Sequence, residues 1–139
     1  MDIITCVSSW KLVKITLMKL HLIQAENNNL ITAYGDGFVD INKQRYQQHL
    51  IVMPDQLVLD WSVKNFKGLT TQDFDTIADL NPEVILLGTG AEHQFAHPKL
   101  TAVLTEKGIA IEYMTTDAAC RTYNILMSEG RNVAAGLIL

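Results

Sequence analysis

The chain has 139 residues, 48% of them apolar and 19% charged, with a formal net charge of −4 and a pI of about 5.4. That length suits one domain able to bury a core without a disulfide or metal, and the balance excludes a disordered chain. A protein that grips phosphate backbones should be basic, so nucleic acid is excluded as a general partner.

The two cysteines, Cys6 and Cys120, stand far apart in no metal-ligand spacing, which suits a reducing cytoplasm. Residues 1–17 read as an N-terminal extension ahead of a single α/β domain at 18–139. Asp2 occupies the place where a secretory signal wants positive charge, and Lys11 and Lys14 interrupt the apolar run. Met18 offers a second start. The extension is either an amphipathic anchor for a partner or an over-extended start, a tail outside the fold. No apolar run reaches the roughly 18–20 residues of a membrane span, so the expectation is a cytoplasmic protein that does not cross the bilayer.

From Leu20 the apolar residues alternate. Leu20–Ile23 and Leu30–Tyr34 read as strands around an Asn27-Asn28-Asn29 turn. Gly35-Asp36-Gly37 is a turn, Phe38–Ile41 a strand, and Asn42-Lys43-Gln44 another turn. Tyr46–Met53 is expected as one strand ending at Pro54-Asp55, and Leu57–Trp61 as a short one. The first half therefore reads as a β-meander. The second half changes to βαβ periodicity. Thr70 or Thr71 caps a helix through Leu80, with Phe74, Ile77, Ala78 and Leu80 on its apolar face. Glu83–Leu87 is a continuous apolar run, the mark of a buried parallel strand. A second helix is expected over Pro98–Lys107, ending at Gly108, then a strand over Ile109–Met114. Thr116 or Asp117 caps a third helix reaching Glu129, and Asn132–Leu139 is the last strand. The fold class is α/β: a central mixed sheet with βαβ units in the C-terminal half, packed helices, and an additional β-meander layer.

Gly88-Thr89-Gly90 directly follows the buried strand, at the strand end where open α/β sheets bind ligands. Glycines there let backbone amides approach an anion. The dinucleotide fingerprint lacks its third glycine, however, and no P-loop lysine follows. The loop is thus a plain tight turn or a ligand-facing one. His93 and His97 stand four apart, but Pro98 disfavours a helix there, and no third ligand is near; no metal or cofactor is expected. The third helix carries Asp117, Arg121 and Asn124. With Thr115 and Thr116 before it, that set could form an anion pocket beside the glycine loop, the helix N-terminus attracting the charge and Arg121 clamping it. The alternative makes Asp117 a cap, Arg121 its intrahelical partner and Asn124 a solvated residue. Cys120 reads as a small buried residue rather than a nucleophile. No catalytic triad or carboxylate pair is evident.

Several segments recur together: Tyr34-Gly35-Asp36-Gly37, Val52-Met53-Pro54-Asp55 with Trp61, Leu87-Gly88-Thr89-Gly90, Gly108-Ile109-Ala110-Ile111-Glu112, Thr116 through Leu126, and Glu129-Gly130-Arg131. In this order the chain, from about Leu20 to Leu139, resembles the small α/β family that contains mitochondrial NADH dehydrogenase (complex I) assembly factor 3 and its uncharacterised bacterial and archaeal relatives. The resemblance implies one compact domain with a mixed sheet, packed helices and an extra β layer. For the mitochondrial branch it also implies a role in assembling membrane respiratory complexes, with a protein partner such as a membrane-complex subunit. No transit peptide is evident, so a bacterial member is expected, a branch for which the resemblance implies no settled activity. It carries no catalytic residues over. Two function classes follow: a non-catalytic binding or assembly protein, and a small anion- or nucleotide-binding enzyme using Gly88–Gly90 and the N-terminus of the third helix.

Overall fold

A computed structural model describes residues 28–139. The expected strand at Leu20–Ile23 and the extension at 1–17 lie outside the described residues. Three strands open the described chain: β1 (Ile31–Gly35), β2 (Phe38–Ile41) and β3 (Gln44–Tyr46), an antiparallel meander in the order β1-β2-β3. Between β2 and β3, Asn42 and Lys43 both take positive φ, 51° and 68°. That is the twist a two-residue hairpin requires.

The expected strand Tyr46–Met53 is instead two pieces in two sheets. β3 ends at Tyr46, and β4 (Leu50–Val52) joins the second sheet. The cause is the polar stretch Gln47-Gln48-His49, which suits neither buried layer and serves as the crossing. The Gln48 amide donates to the Leu59 carbonyl at 2.6 Å. The His49 ring bridges two other segments, Nε2 lying 2.9 Å from the Lys64 carbonyl and Nδ1 accepting from the Leu139 amide at 3.0 Å. The strand expected over Leu57–Trp61 shortens to β5 (Leu57–Val58). Trp61 turns inward instead, and its indole N–H donates to the Asp73 carbonyl at 3.3 Å.

Helix α1 (Thr71–Ala78) starts at Thr70 through a reciprocal cap. The Asp73 amide donates to the Thr70 hydroxyl, and the Thr70 amide donates to the Asp73 carboxylate. β6 (Val84–Gly88) is buried at every position, as its unbroken apolar run requires. The second helix is shorter than expected, α2 (Ala102–Glu106). Residues 98–101 form tight turns, in which the Leu100 and Thr101 amides reach carbonyls three residues back, those of His97 and Pro98. β7 (Ala110–Met114) follows, then α3 (Thr116–Ser128) and β8 (Val133–Leu137). The cap of α3 is Thr115 rather than Thr116 or Asp117, its hydroxyl accepting from the Ala118 amide.

The second sheet has the order β5-β4-β8-β6-β7. β6 runs parallel to both β7 and β8, while β4 runs antiparallel to β8 and β5, so the sheet is mixed. On one face α3 and the meander enclose Val84, Leu86, Val133, Ala135 and Leu137. On the other, α1, α2 and Trp61 cover Ile85, Leu87 and Ala134. The architecture is therefore the expected one, a mixed sheet with helices on it and an added β layer.

Candidate functional site

Gly88, Thr89, Gly90 and Thr116 meet at the carboxyl end of β6. At Gly88 strand and helix approach each other closely. A Cβ built there would lie 3.0 Å from Thr116 Cα, 3.1 Å from its Oγ1 and 3.3 Å from Ala119 Cβ. Gly90 takes φ +96°, which favours glycine.

Thr116 is buried and ties three segments together. Its Oγ1 accepts from the Gly90 amide at 2.9 Å and donates to the Ile138 carbonyl at 2.6 Å. Its own amide donates back to the Gly90 carbonyl at 2.9 Å. Thr89 is equally engaged. Its amide donates to Met114 O at 2.8 Å, and its hydroxyl lies among Glu92 O, Met114 O and the Gln94 amide. The amides of Thr89 and Gly90 are thus spent on the fold.

Beside this knot lies a cavity of about 440 Å³ lined by Gly35, Asp36, Gly90, Ala91, Thr115, Thr116, Asp117, Ile138 and Leu139. It brings the glycine loop together with the start of α3, as the sequence suggests. It does not include Arg121 or Asn124. The exposed guanidinium of Arg121 donates to the Tyr34 hydroxyl at 3.0 Å, and that bond raises its pKa. Asn124 is paired with both backbone groups of Ile31, accepting from its amide at 3.0 Å and donating to its carbonyl at 2.7 Å. Asp36 and Asp117 both line the cavity, and among the described residues no lysine or arginine does. Asp36 appeared in the sequence only as part of a turn. Nothing local announced that the β1–β2 hairpin folds over the α3 N-terminus.

Cys120 is fully buried, and burial, reinforced by Asp117, pushes its thiol up to about 12. It is held as the thiol at neutral pH, which opposes a nucleophilic role. Burial likewise raises Tyr123, whose hydroxyl donates to the Asn29 carbonyl at 2.6 Å. Among the described residues no group of three or more His, Cys, Asp or Glu side chains is arranged to hold a metal ion. His93 packs against Phe95 with ring centroids 4.6 Å apart, and Phe95 meets Tyr113 edge-on at 5.4 Å. Phe95 remains 71% exposed, the largest exposure among the big apolar side chains described. Composition gave no sign of it, because Phe95 belongs to no periodic run.

Comparison with known proteins adds four findings. Residues 31–138 match the family described as "Protein of unknown function (DUF498/DUF598)". The chain is 31% identical over 124 residues to "NADH dehydrogenase [ubiquinone] 1 alpha subcomplex assembly factor 3" of Mus musculus, across 86% of this chain and 66% of that protein. The chain thus spans just under two thirds of that relative's length. It is also 32% identical over 107 residues to the "13 kDa major membrane protein" of Francisella tularensis subsp. holarctica, across 76% of this chain and 86% of that one. Among solved structures, a Bordetella parapertussis protein superposes with a TM-score of 0.76 at 38% identity, covering 80% of this chain and 95% of its own.

Proposed function

The chain belongs to the DUF498/DUF598 family, and from that premise we propose that it is a non-catalytic binding protein that assists the assembly of membrane respiratory complexes. The observation that carries this reading is the similarity to the mouse protein named as an assembly factor. The local chemistry is compatible with it. Thr89, Thr116, Tyr123 and Asn124, the polar side chains best placed for chemistry, are committed to backbone partners. Large apolar side chains stand in solvent at Phe95 and Ile125, the kind of surface that binds protein. No helix among the described residues is long and apolar enough to cross a membrane. On this reading the protein works from the cytoplasm and meets membrane subunits at their exposed surface.

The competing use of the 440 Å³ cavity for a small anion has less behind it, since Asp36 and Asp117 line it and among the described residues no basic side chain does. A thermal-shift series with inorganic phosphate tests that use. The assembly reading is tested by affinity capture of the tagged full chain from gently solubilised host membranes, with native gels of a deletion strain. Respiratory-complex subunits should be retained, and the assembled complex should decline without the protein. Unchanged complex levels together with no retained membrane subunits would refute it.

A further inference from the structure

We propose that the open edge of β7 (Ala110–Met114) receives an extended segment of a partner protein, one that carries a lysine or arginine opposite Glu112. The inference rests on the binding role proposed above and names the surface for it. Among the described residues β7 ends the five-stranded sheet, with a strand partner on one side only. The Thr89 amide donates to Met114 O, so the backbone of Met114 faces β6. Alternation along a strand then turns Glu112 and Ala110 the same way. The N–H and C=O groups of Ile111 and Tyr113 face outward, with no strand beside them among the described residues.

The other sheet edges are defended. β5 has only two residues. β3 has three, guarded by Arg45, which pairs with Asp40 at 2.9 Å and lies over the Phe38 ring. β1 has its first residue held by both Asn124 bonds. Charged side chains, very short strands and covering groups are the usual protections against edge pairing. β7 has five residues, and its one charged side chain is the exposed Glu112. Phe95, 71% exposed, packs against Tyr113 of this same strand and offers an apolar contact at its end.

The charge selects the occupant. If a second copy paired antiparallel, the register using every outward group would set Ile111 against Tyr113 of the other copy. That register places Glu112 directly opposite Glu112, and like charges so placed repel. A basic residue at that point is attracted instead. The remaining specificity lies in apolar side chains reaching Phe95 and Tyr113, a strand-addition mode in which backbone bonds supply much of the affinity.

The test is selection of displayed random dodecapeptides on the immobilised full chain, read against two variants. Ile111→Pro removes an outward N–H at an edge position where proline is tolerated. Glu112→Lys changes an exposed side chain and leaves the backbone intact, so it keeps the test sound if the proline variant fails to fold. The enriched peptides should share a basic residue in an alternating apolar pattern and slow hydrogen exchange at the Ile111 and Tyr113 amides. They should bind Glu112→Lys about fivefold or more weakly, and that variant should select acidic peptides in their place. An absence of enriched peptides, binding to both variants undiminished from wild type, or protection at other amides would overturn the proposal. So would a concentration-dependent dimer abolished by Ile111→Pro, which would make a second copy the occupant. Retention of respiratory subunits by wild type and Ile111→Pro alike would remove the edge while sparing the assembly role. Retention by neither would remove that role and leave the peptide selection to judge the edge.

Discussion

At the scale of single residues, the most consequential is Thr116, not the arginine one turn further along. Its hydroxyl is buried and bonded on both sides, to the Gly90 amide and the Ile138 carbonyl. Thr116→Val keeps the shape and strands both partners, so it should cost about 2 kcal/mol or more in urea unfolding. Thr116→Ser retains the hydroxyl and should recover most of that loss. Gly88→Ala tests the close approach of β6 and α3. The new methyl would meet Thr116 Cα at 3.0 Å, backbone that cannot swing aside, and overpacking of this kind costs about 1–3 kcal/mol. Arg121→Ala, by contrast, touches an exposed contact to Tyr34 and should leave the urea midpoint essentially where it was. If it unfolds the chain, the exposed geometry of Arg121 is wrong.

At the scale of elements, α3 shows what burial does to ionisation. Its inward face carries Ala119, Cys120, Tyr123 and Met127. Cys120 has an ordinary value of 9.0 raised to about 12, because the thiolate is disfavoured among apolar neighbours and beside Asp117. Between those two values the unfolded chain releases the proton while the native chain holds it. Its contribution is therefore intact below pH 9 and is lost as pH rises through about 12. Urea midpoints for wild type and Cys120→Ala, compared between about pH 8 and about pH 11, should show wild type falling more steeply; parallel curves would deny the coupling. Elements such as α3 and β6 were legible in the sequence because their apolar spacing is local and strong. The crossing at Gln47–His49 was not, because alternation continues across it while the partner strands change. The same limit hid the role of Asn124. Its partner Ile31 is 93 positions away, and helix spacing shows only that Asn124 shares a face with Arg121. The cavity was legible in half, through the glycine loop and the α3 start. The Asp36 side came from the meander folding across, which no periodicity encodes.

At the scale of the whole molecule, the five-stranded sheet is shared by two cores and the meander is an added layer. β6 and β8 lie inside the sheet, flanked on both sides by strands and covered on both faces. Their amides should open only with global unfolding and exchange slowest. The meander joins the rest through the apolar contacts of Ile31, Val39, Ile41, Tyr34 and Tyr46, the two Asn124 bonds, and Tyr34 against Arg121, with Asn29 just before β1 bonded to Tyr123, Met53, Pro54 and Gln56. Asn124→Ala removes the two part-buried hydrogen bonds of that attachment and leaves the Ile31 amide and carbonyl without their partner, a loss of about 1–3 kcal/mol. Since β6 and β8 make no use of Asn124, the loss should appear first as local opening of the meander. Hydrogen exchange resolved by residue should therefore quicken across β1 and β2 in Asn124→Ala, while β6 and β8 keep wild-type rates until the local opening energy approaches the global one. Uniform acceleration through both sheets would instead mean that the meander and the five-stranded sheet unfold as one unit, with Asn124 a support of the whole.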